Sequence, residues 1–309
     1  MNELMTVSVS PHVKTNVNTR RIMADVLIAL SPAAIAGVVI FGLRALAVLC
    51  VSVAAAVLAE YLFNLICRRP QTVGDLSAAV TGLLLGMNVP ANLPLWQAAV
   101  GSVFAIIVVK SLFGGIGKNF ANPAITARIF MTISFGSMAG AAFPTVVDTV
   151  ATATPLAEMK EGAAATPSLL DMLLGLKGGA IGEVCAIALI VGFVYLLARR
   201  VIDWRATVCF VGGVFVLMLL LSGDVSVALN HVLSGGLLLG AIFMATDYTT
   251  TPLTKWGRAL FGVGCALITV VIRMWGSYPE GVSYSILLMN ILTPYLDRLT
   301  QPKALGGAK

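Results

Sequence analysis

The sequence predicts an all-α, polytopic integral membrane protein with about ten transmembrane helices in two inverted five-helix repeats. Three observations carry that prediction. Of its 309 residues, 58% are hydrophobic and 11% charged, against roughly 25% charged in a soluble domain, and the mean hydropathy is +0.95. Ten apolar runs lie near residues 22–43, 45–67, 75–89, 95–112, 124–143, 180–198, 206–222, 228–245, 257–275 and 283–299, to be compared with the ~20 residues that cross a bilayer. The chain also repeats itself: Thr81-Gly-Leu-Leu-Leu-Gly86 returns as Gly235-Gly-Leu-Leu-Leu-Gly240. Each copy is followed by a polar, proline-containing break (NVPANLP, TDYTTTP) and by a tryptophan, Trp96 or Trp256, that opens the next helix. Because five is odd, a second half of this kind is inverted relative to the first.

In chain order, the first 21 residues are polar, with Lys14, Arg20 and Arg21 just ahead of the first run. No cleavable signal peptide is visible, so the N-terminus is expected in the cytoplasm. The third run is short, and Asn88, Pro90, Asn92 and Pro94 crowd its end; a broken or re-entrant helix is expected there. With alternating spans, all of the 20 Lys and Arg residues except Arg44, Lys160, Lys177 and Arg273 fall in the cytoplasm, including Arg68, Arg69, Lys118, Arg128, Arg199, Arg200, Arg205, Lys255, Arg258, Lys303 and Lys309. That is the positive-inside pattern. The net charge of +6 then reflects orientation and attraction to anionic lipid, and requires no nucleic-acid partner. The C-terminus is cytoplasmic as well. The single membrane domain, 1–309, divides into a first half at 1–143, an external loop at 144–179 and a second half at 180–309. Within the loop, Asp148, Glu158, Glu161 and Asp171 outnumber Lys160 and Lys177, and loops of this length are usually functional or disordered.

Cys50, Cys67, Cys185, Cys209 and Cys265 are dispersed in or beside apolar runs, with no CxxC and no histidine at ligand spacing. The expected reading is buried, inert thiols and no metal. His12 and His231 are far apart and support no catalytic constellation. Three polar stretches remain. Gly114-Gly-Ile-Gly-Lys-Asn-Phe-Ala-Asn-Pro-Ala124 reads either as a loop whose glycines let backbone approach a ligand at a helix N-terminus, or as a tight turn capped by Asn122. Phe243-Met-Ala-Thr-Asp-Tyr-Thr-Thr-Thr-Pro-Leu-Thr254 places Asp247 and several hydroxyls where they can cap a helix or hydrogen-bond a polar ring. Asp148-Thr-Val-Ala-Thr-Ala-Thr-Pro-Leu-Ala-Glu-Met159 reads as an ordinary loop or as an exposed hydroxyl open to phosphoester modification, Pro155 biasing Thr154 toward extended backbone. Glu60, Asp75 and Glu183 are acids close to helix ends, where snorkelling or capping competes with a role in an ion path.

Together, SPHVKTNVNTRRIMADVLIALSPA, GGIGKNFANPAITARIF and FMATDYTTTPLT resemble, in order and across nearly the whole chain, the family of RnfD, the D subunit of the Rnf electron-transport complex. That family also includes the B subunit of the sodium-pumping NADH:quinone oxidoreductase. The SPHV stretch and the short segment before the first helix are more similar to the Rnf member. The resemblance implies a redox subunit of an ion-translocating ferredoxin:NAD oxidoreductase, not catalytic alone. Electron transfer would be coupled to sodium or proton transport in the bacterial inner membrane. It implies FMN held as a phosphoester on a threonine in a pattern like D-x-x-[ST]-G-A-T. Asp148, Ala153 and Thr154 fall on that pattern, with Thr154 in the flavinylated place, while Ala151 and Thr152 depart from it. A second, noncovalent flavin, riboflavin, is implied within the helices, its surroundings assigned to Asn119, Asn122, Thr246 and Asp247. The implied partners are the other membrane, flavin and iron–sulfur subunits, a flavin transferase and lipid. Two alternatives are a solute channel or permease of inverted-repeat fold, and the flavin subunit of a sodium-pumping quinone reductase.

Overall fold

The computed structural model describes residues 18–139, 156, 159, 169–276, 278 and 280–301. Thr154, with Asp148, Ala151, Thr152 and Ala153, lies outside the described residues, as do Glu158, Lys160, Glu161 and the two ends of the chain. Among the described residues all regular structure apart from one isolated bridge position is helical. In chain order the helices are α1 (Thr19–Phe41), α2 (Leu43–Ile66), α3 (Ser77–Met87), α4 (Leu95–Ser111), α5 (Pro123–Ser134), α6 (Leu169–Leu174), α7 (Ala186–Ala198), α8 (Trp204–Ser222), α9 (Val225–Leu233), α10 (Leu237–Met244), α11 (Lys255–Trp275) and α12 (Val282–Thr300). Four of them, α1, α2, α8 and α11, are long and apolar enough to cross a membrane, and α9 and α10, bent by 64° at their break, form either a broken span or a re-entrant loop. The protein is a polytopic, all-helical membrane protein.

The end of the bundle where α1 begins is the proximal face, the other the distal face. α1 and α2 are antiparallel across Gly42, whose φ of 76° suits a residue without Cβ. α2 packs on α3 and α4, α8 packs on α9 and α11, and the two groups meet where α1 lies along α7 and α5 along α12. The main apolar cluster runs through both groups, and a smaller one of Ala56, Ala59, Ala78 and Ile106 joins α2, α3 and α4. Outside it, the bundle presents large apolar side chains such as Ile35, Val39, Leu62, Ile66, Leu220 and Trp256, the surface that lipid covers. Cys50 and Cys67 lie on that outer surface too and only Cys265 is buried, which corrects the expectation of buried thiols. A lipid-facing helix side is as apolar as a core, so composition does not separate the two.

Hydropathy also overstated several helices. The run at 180–198 is helical only from Ala186, because residues 180–185 form a buried turn whose Ile181 and Gly182 N–H groups donate to Val89 O and Met87 O at 3.1 and 2.8 Å. Irregular backbone at this depth is stable only where protein satisfies it. The turn and the 88–94 break at the end of α3 satisfy each other. Arg44 Nη2 closes the break from outside, donating to Asn92 O at 3.2 Å.

Close helix contacts depend on small residues. A Cβ on Gly82 would stand 2.7 Å from Ser52 O, one on Gly262 2.5 Å from Ala206 O, and one on Gly192 would overlap Ala29 O, whereas Gly212 has open space. A buried polar chain ties α2, α3 and α4 near the proximal face. Lys110 Nζ donates to Glu60 Oε1 at 2.9 Å and to Ser77 Oγ at 2.6 Å, and Thr72 Oγ1 donates to Glu60 Oε1 at 2.7 Å. Lys110 and Glu60 are 2% and 3% exposed. Asp75 accepts from Ser77 N–H at 2.8 Å, so of the acids singled out in the sequence, Glu60 is an ion-pair partner and Asp75 a local cap. Gly82→Ala and Gly262→Ala are each expected to lower stability in detergent by about 1–3 kcal/mol through overpacking, while Gly212→Ala leaves the melting temperature unchanged. Lys110→Met alone costs about 3–5 kcal/mol by leaving a buried carboxylate unpaired, and Lys110→Met with Glu60→Leu recovers most of it, a non-additivity read from a double-mutant cycle.

Candidate functional site

The proximal face holds a cavity of about 80 Å³ lined by polar groups from four separate stretches: Ser77 and Lys110, Asn119 and Asn122, and Thr246 and Asp247, with Met23, Val26, Leu84, Leu196 and Phe243 as apolar wall. Local chemistry builds each side. Gly114, Gly115 and Gly117 have φ of 112°, 93° and 87°, folding the chain tightly enough after α4 for Asn122 to start α5. Asn122 Oδ1 accepts from the Ala124 and Ile125 N–H groups at 3.0 and 3.3 Å, with Pro123 at the first helical position. The capped-turn reading of this stretch is realised, and its Asn119 and Asn122 line the cavity. Asn119 Oδ1 is buried with no hydrogen-bond partner among the described residues.

Asp247 organises the opposite side. Its carboxylate accepts from the Thr249 N–H and hydroxyl and from the Thr250 hydroxyl, and from Asn122 Nδ2 at 3.4 Å. Burial pushes the Asp247 carboxyl above its ordinary pKa, with the Thr249 and Thr250 hydrogen bonds opposing. Asp247 does not cap α11; Thr254 does, accepting from Gly257 N–H at 3.0 Å. The two sides are locked through α12. With the Asn290 amide oriented to match its partners, it donates to Thr250 O at 3.2 Å and accepts from Asn122 N–H at 3.1 Å, and Thr293 Oγ1 donates to Thr250 O at 2.8 Å.

A second, more open cavity of about 690 Å³ adjoins the first and shares Val201, Ile202, Thr246, Asp247 and Tyr248 with it. Arg200, Asp203, Arg205 and Arg258 line its rim. Asp203 accepts from Arg205 Nη1 and Arg258 Nη1 at 2.9 and 3.0 Å. Burial alone would raise the Asp203 carboxyl, but the Arg205 N–H and the two guanidinium groups hold it below the ordinary range.

Midway through the bundle lies a third polar layer. Arg128 was expected on the cytoplasmic surface from charge counting, and this is corrected: it is 8% exposed within α5. Its Nη1 donates to Asn88 Oδ1 and to Ser283 Oγ, both at 3.1 Å, and its Nη2 pairs with Glu280. Glu280 in turn accepts from Gly236 N–H at 3.3 Å. Glu183 accepts from Ala180 N–H at 2.9 Å, its other oxygen being buried without a partner among the described residues.

The structure thus brings together Asn119, Asn122, Thr246 and Asp247, the four residues assigned to one pocket from sequence, while Asp148, Ala153 and Thr154 lie outside the described residues. Sequence reasoning missed Lys110 and Ser77 in the cavity wall. The available signal was a base and an acid, Lys110 and Glu60, each inside an apolar run with no charged neighbour on its own helix.

The family model described as "NQR2, RnfD, RnfE family" matches residues 6–306. The chain is 48% identical to the D subunit of the Na(+)-translocating ferredoxin:NAD(+) oxidoreductase complex of Acetobacterium woodii, over all of this chain and 98% of that protein. It is 39% identical to the D subunit of the proton-translocating ferredoxin:NAD(+) oxidoreductase complex of Clostridium ljungdahlii, over 98% of this chain and 96% of the relative. It is 35% identical to the D subunit of the ion-translocating oxidoreductase complex of Stutzerimonas stutzeri, over 93% and 92%. With the family model matching residues 6–306 and similarity running from one end to the other, the chain belongs to the NQR2, RnfD, RnfE family.

Proposed function

We propose that this chain is the D subunit of an ion-translocating ferredoxin:NAD oxidoreductase complex, a membrane-embedded redox subunit that works with membrane, flavin and iron–sulfur partner subunits. The observation that carries the reading is full-length similarity to three relatives of that name. The names of the first two differ in the ion, sodium in one and proton in the other, so the coupling ion here is sodium or proton. The proximal face is the cytoplasmic one. Supporting this, Arg68, Arg69, Lys118, Arg199, Arg200, Arg205, Lys255 and Arg258 cluster at proximal helix ends, as the positive-inside pattern requires. The chain then lies in the bacterial inner membrane with both termini cytoplasmic and the 144–179 loop outside.

Two five-helix halves account for the sequence repeat. The supporting geometry is that Trp96 opens α4 at the distal face and Trp256 opens α11 at the proximal face, the relation an inverted pair gives.

Two flavins are proposed: FMN as a phosphoester on Thr154, and noncovalent riboflavin at the proximal cavity. When bound, they supply one- and two-electron redox chemistry. The residues present at the proximal cavity fit such a ring. Met23, Val26, Leu84 and Phe243 offer apolar faces, and the unpartnered Asn119 Oδ1, the Asn122 and Asp247 side chains and Thr246 offer hydrogen bonds to a polar edge. The inner volume, about 80 Å³, is below the ~150 Å³ that holds benzene, so the ring is seated across the boundary with the 690 Å³ cavity. Lys110 stands at the inner wall, its charge balanced by Glu60 at 2.9 Å. On Thr154, covalent attachment keeps a carrier at high effective concentration beside its partners. A permease would require neither flavin.

Thr154→Val, produced with an active flavin transferase, removes the fluorescent band that survives denaturation, while Thr152→Val keeps it; a band retained in Thr154→Val contradicts the anchor. Asn122→Leu and Thr246→Val each weaken noncovalent flavin retention by ~tenfold, equivalent to about 1.4 kcal/mol, measured as flavin released on dilution, with the covalent band unchanged.

A further inference from the structure

Three helix ends converge on the open proximal cavity of about 690 Å³. The C-terminal end of α7 and the N-terminal ends of α8 and α11 bring Arg200, Arg205 and Arg258 to its rim. We propose that this rim is a headgroup site for one anionic phospholipid. Its phosphodiester is held by the three guanidinium groups, and its acyl chains continue along the outer sides of α8 and α11. The site is independent of the flavin assignments, because it uses the rim and leaves the inner end, shared with the smaller cavity, to the ring.

The rim carries more positive charge than it neutralises. The carboxylates among its lining residues are Asp203 and Asp247. Asp247 belongs to the inner end, buried and held by Thr249 and Thr250. Asp203 serves two arginines at once, Arg205 and Arg258, and also accepts from the Arg205 N–H at 3.0 Å to cap α8. Those two guanidinium groups are fixed in place but stay partly exposed. Arg258 Nε donates to Pro252 O at 3.0 Å, and the Arg205 guanidinium lies over the Trp204 ring at 5.3 Å. Arg200 is exposed, and its side chain has no hydrogen bond or ion pair to another described residue.

The backbone at Arg200 strengthens the point. After α7 the Val201 N–H donates to Leu196 O at 2.9 Å and the Arg200 N–H to Leu197 O at 3.0 Å, the paired bonds that close a helix on a left-handed residue. Arg200 is that residue, with φ of 55°. Glycine takes this conformation freely and a residue with Cβ does not. The turn therefore places a guanidinium at the rim where the backbone alone would favour glycine.

Depth and surroundings favour a lipid as the source of the phosphate. Trp204 opens α8 and Trp256 lies in the first turn of α11, both exposed, and exposed tryptophans of a membrane protein gather at headgroup level. One turn further on, Val208 and Leu260 are exposed as well, and the exposed Leu253 lines the cavity itself. Arginine forks bind phosphate oxygens through paired, charge-assisted hydrogen bonds. A zwitterionic lipid would bring its own cation to a rim that already has an excess of them, so the site selects anionic headgroups, as basic pockets between membrane helices do.

The test uses the purified full chain in mixed micelles containing equal amounts of phosphatidylglycerol and phosphatidylcholine, with retained lipid counted by native mass spectrometry. Arg200→Gly is the informative variant, since glycine suits the left-handed backbone and removes only the side chain. Arg68→Gly is its control: Arg68 is another exposed arginine with positive φ, 52°, at the proximal end of α2, away from this cavity. The expected result is one phosphatidylglycerol retained about fivefold over phosphatidylcholine in the parent and in Arg68→Gly, as one guanidinium near a membrane surface is worth. That preference is lost in Arg200→Gly at an unchanged melting temperature, and excess inorganic phosphate does not displace the lipid. Equal losses in Arg200→Gly and Arg68→Gly would mean attraction spread over the basic surface and would overturn the site. No preference in the parent would overturn it too. Displacement by inorganic phosphate would overturn the lipid as occupant and make the rim a site for a soluble phosphate.

Discussion

A guanidinium buried in an apolar bundle has to find its partners inside the protein, and Arg128 finds them on three separate segments. Its hydrogen bonds to Asn88, Ser283 and Glu280 join the end of α3, the start of α12 and the connection before it to the middle of α5. Removing one partner of such a group costs several kcal/mol because the charge left behind has no water to turn to. The position of α5 relative to both helix groups is therefore fixed by charge satisfaction as much as by packing. Asn122, at the start of the same helix, is carried into contact with Asp247 and Asn290.

The same constraint explains why the helix breaks are where they are. Backbone that leaves a helix at membrane depth needs replacement partners, and here each break supplies them to another. The 180–185 turn donates to Met87 O and Val89 O, Arg273 and Lys177 cap the end of α9 at His231 O, Ser234 O and Leu233 O, and Glu280 receives the Gly236 N–H. Polar side chains gathered for this purpose are then available to ligands at its edges. One cavity forms at the proximal face and one at the distal face.

Much of this was legible in the sequence, and what was hidden has identifiable causes. The ten apolar runs each coincide with a helix or a broken helix, and the break predicted from Asn88, Pro90, Asn92 and Pro94 is present. The proximal cavity residues could be named because glycine, asparagine and threonine cluster there against an apolar background. Hydropathy extended α5 and α7 too far, since a buried turn at 180–185 is as apolar as a helix. Charge counting moved Arg128 to the surface, since counting assigns a base near a helix end to the nearest loop and does not know its partners. Lys110 and Glu60 sit 50 residues apart, and their pairing depends on the α2–α4 contact, which local pattern does not encode. The cavity beside Leu156 combines residues of α8, α9 and α11 with a loop, a convergence visible only in three dimensions.

If the Arg128 layer fixes the geometry of the proximal cavity, the separation of the cavity walls must depend on it. Nitroxide labels at Lys118 and Thr249 in a cysteine-free background report that separation by pulsed electron resonance. A narrow distance distribution is predicted in the parent protein, and in Arg128→Met a clearly broadened one accompanied by loss of noncovalent flavin. A distribution that stays equally narrow in Arg128→Met, with flavin retained, would contradict the role assigned to Arg128.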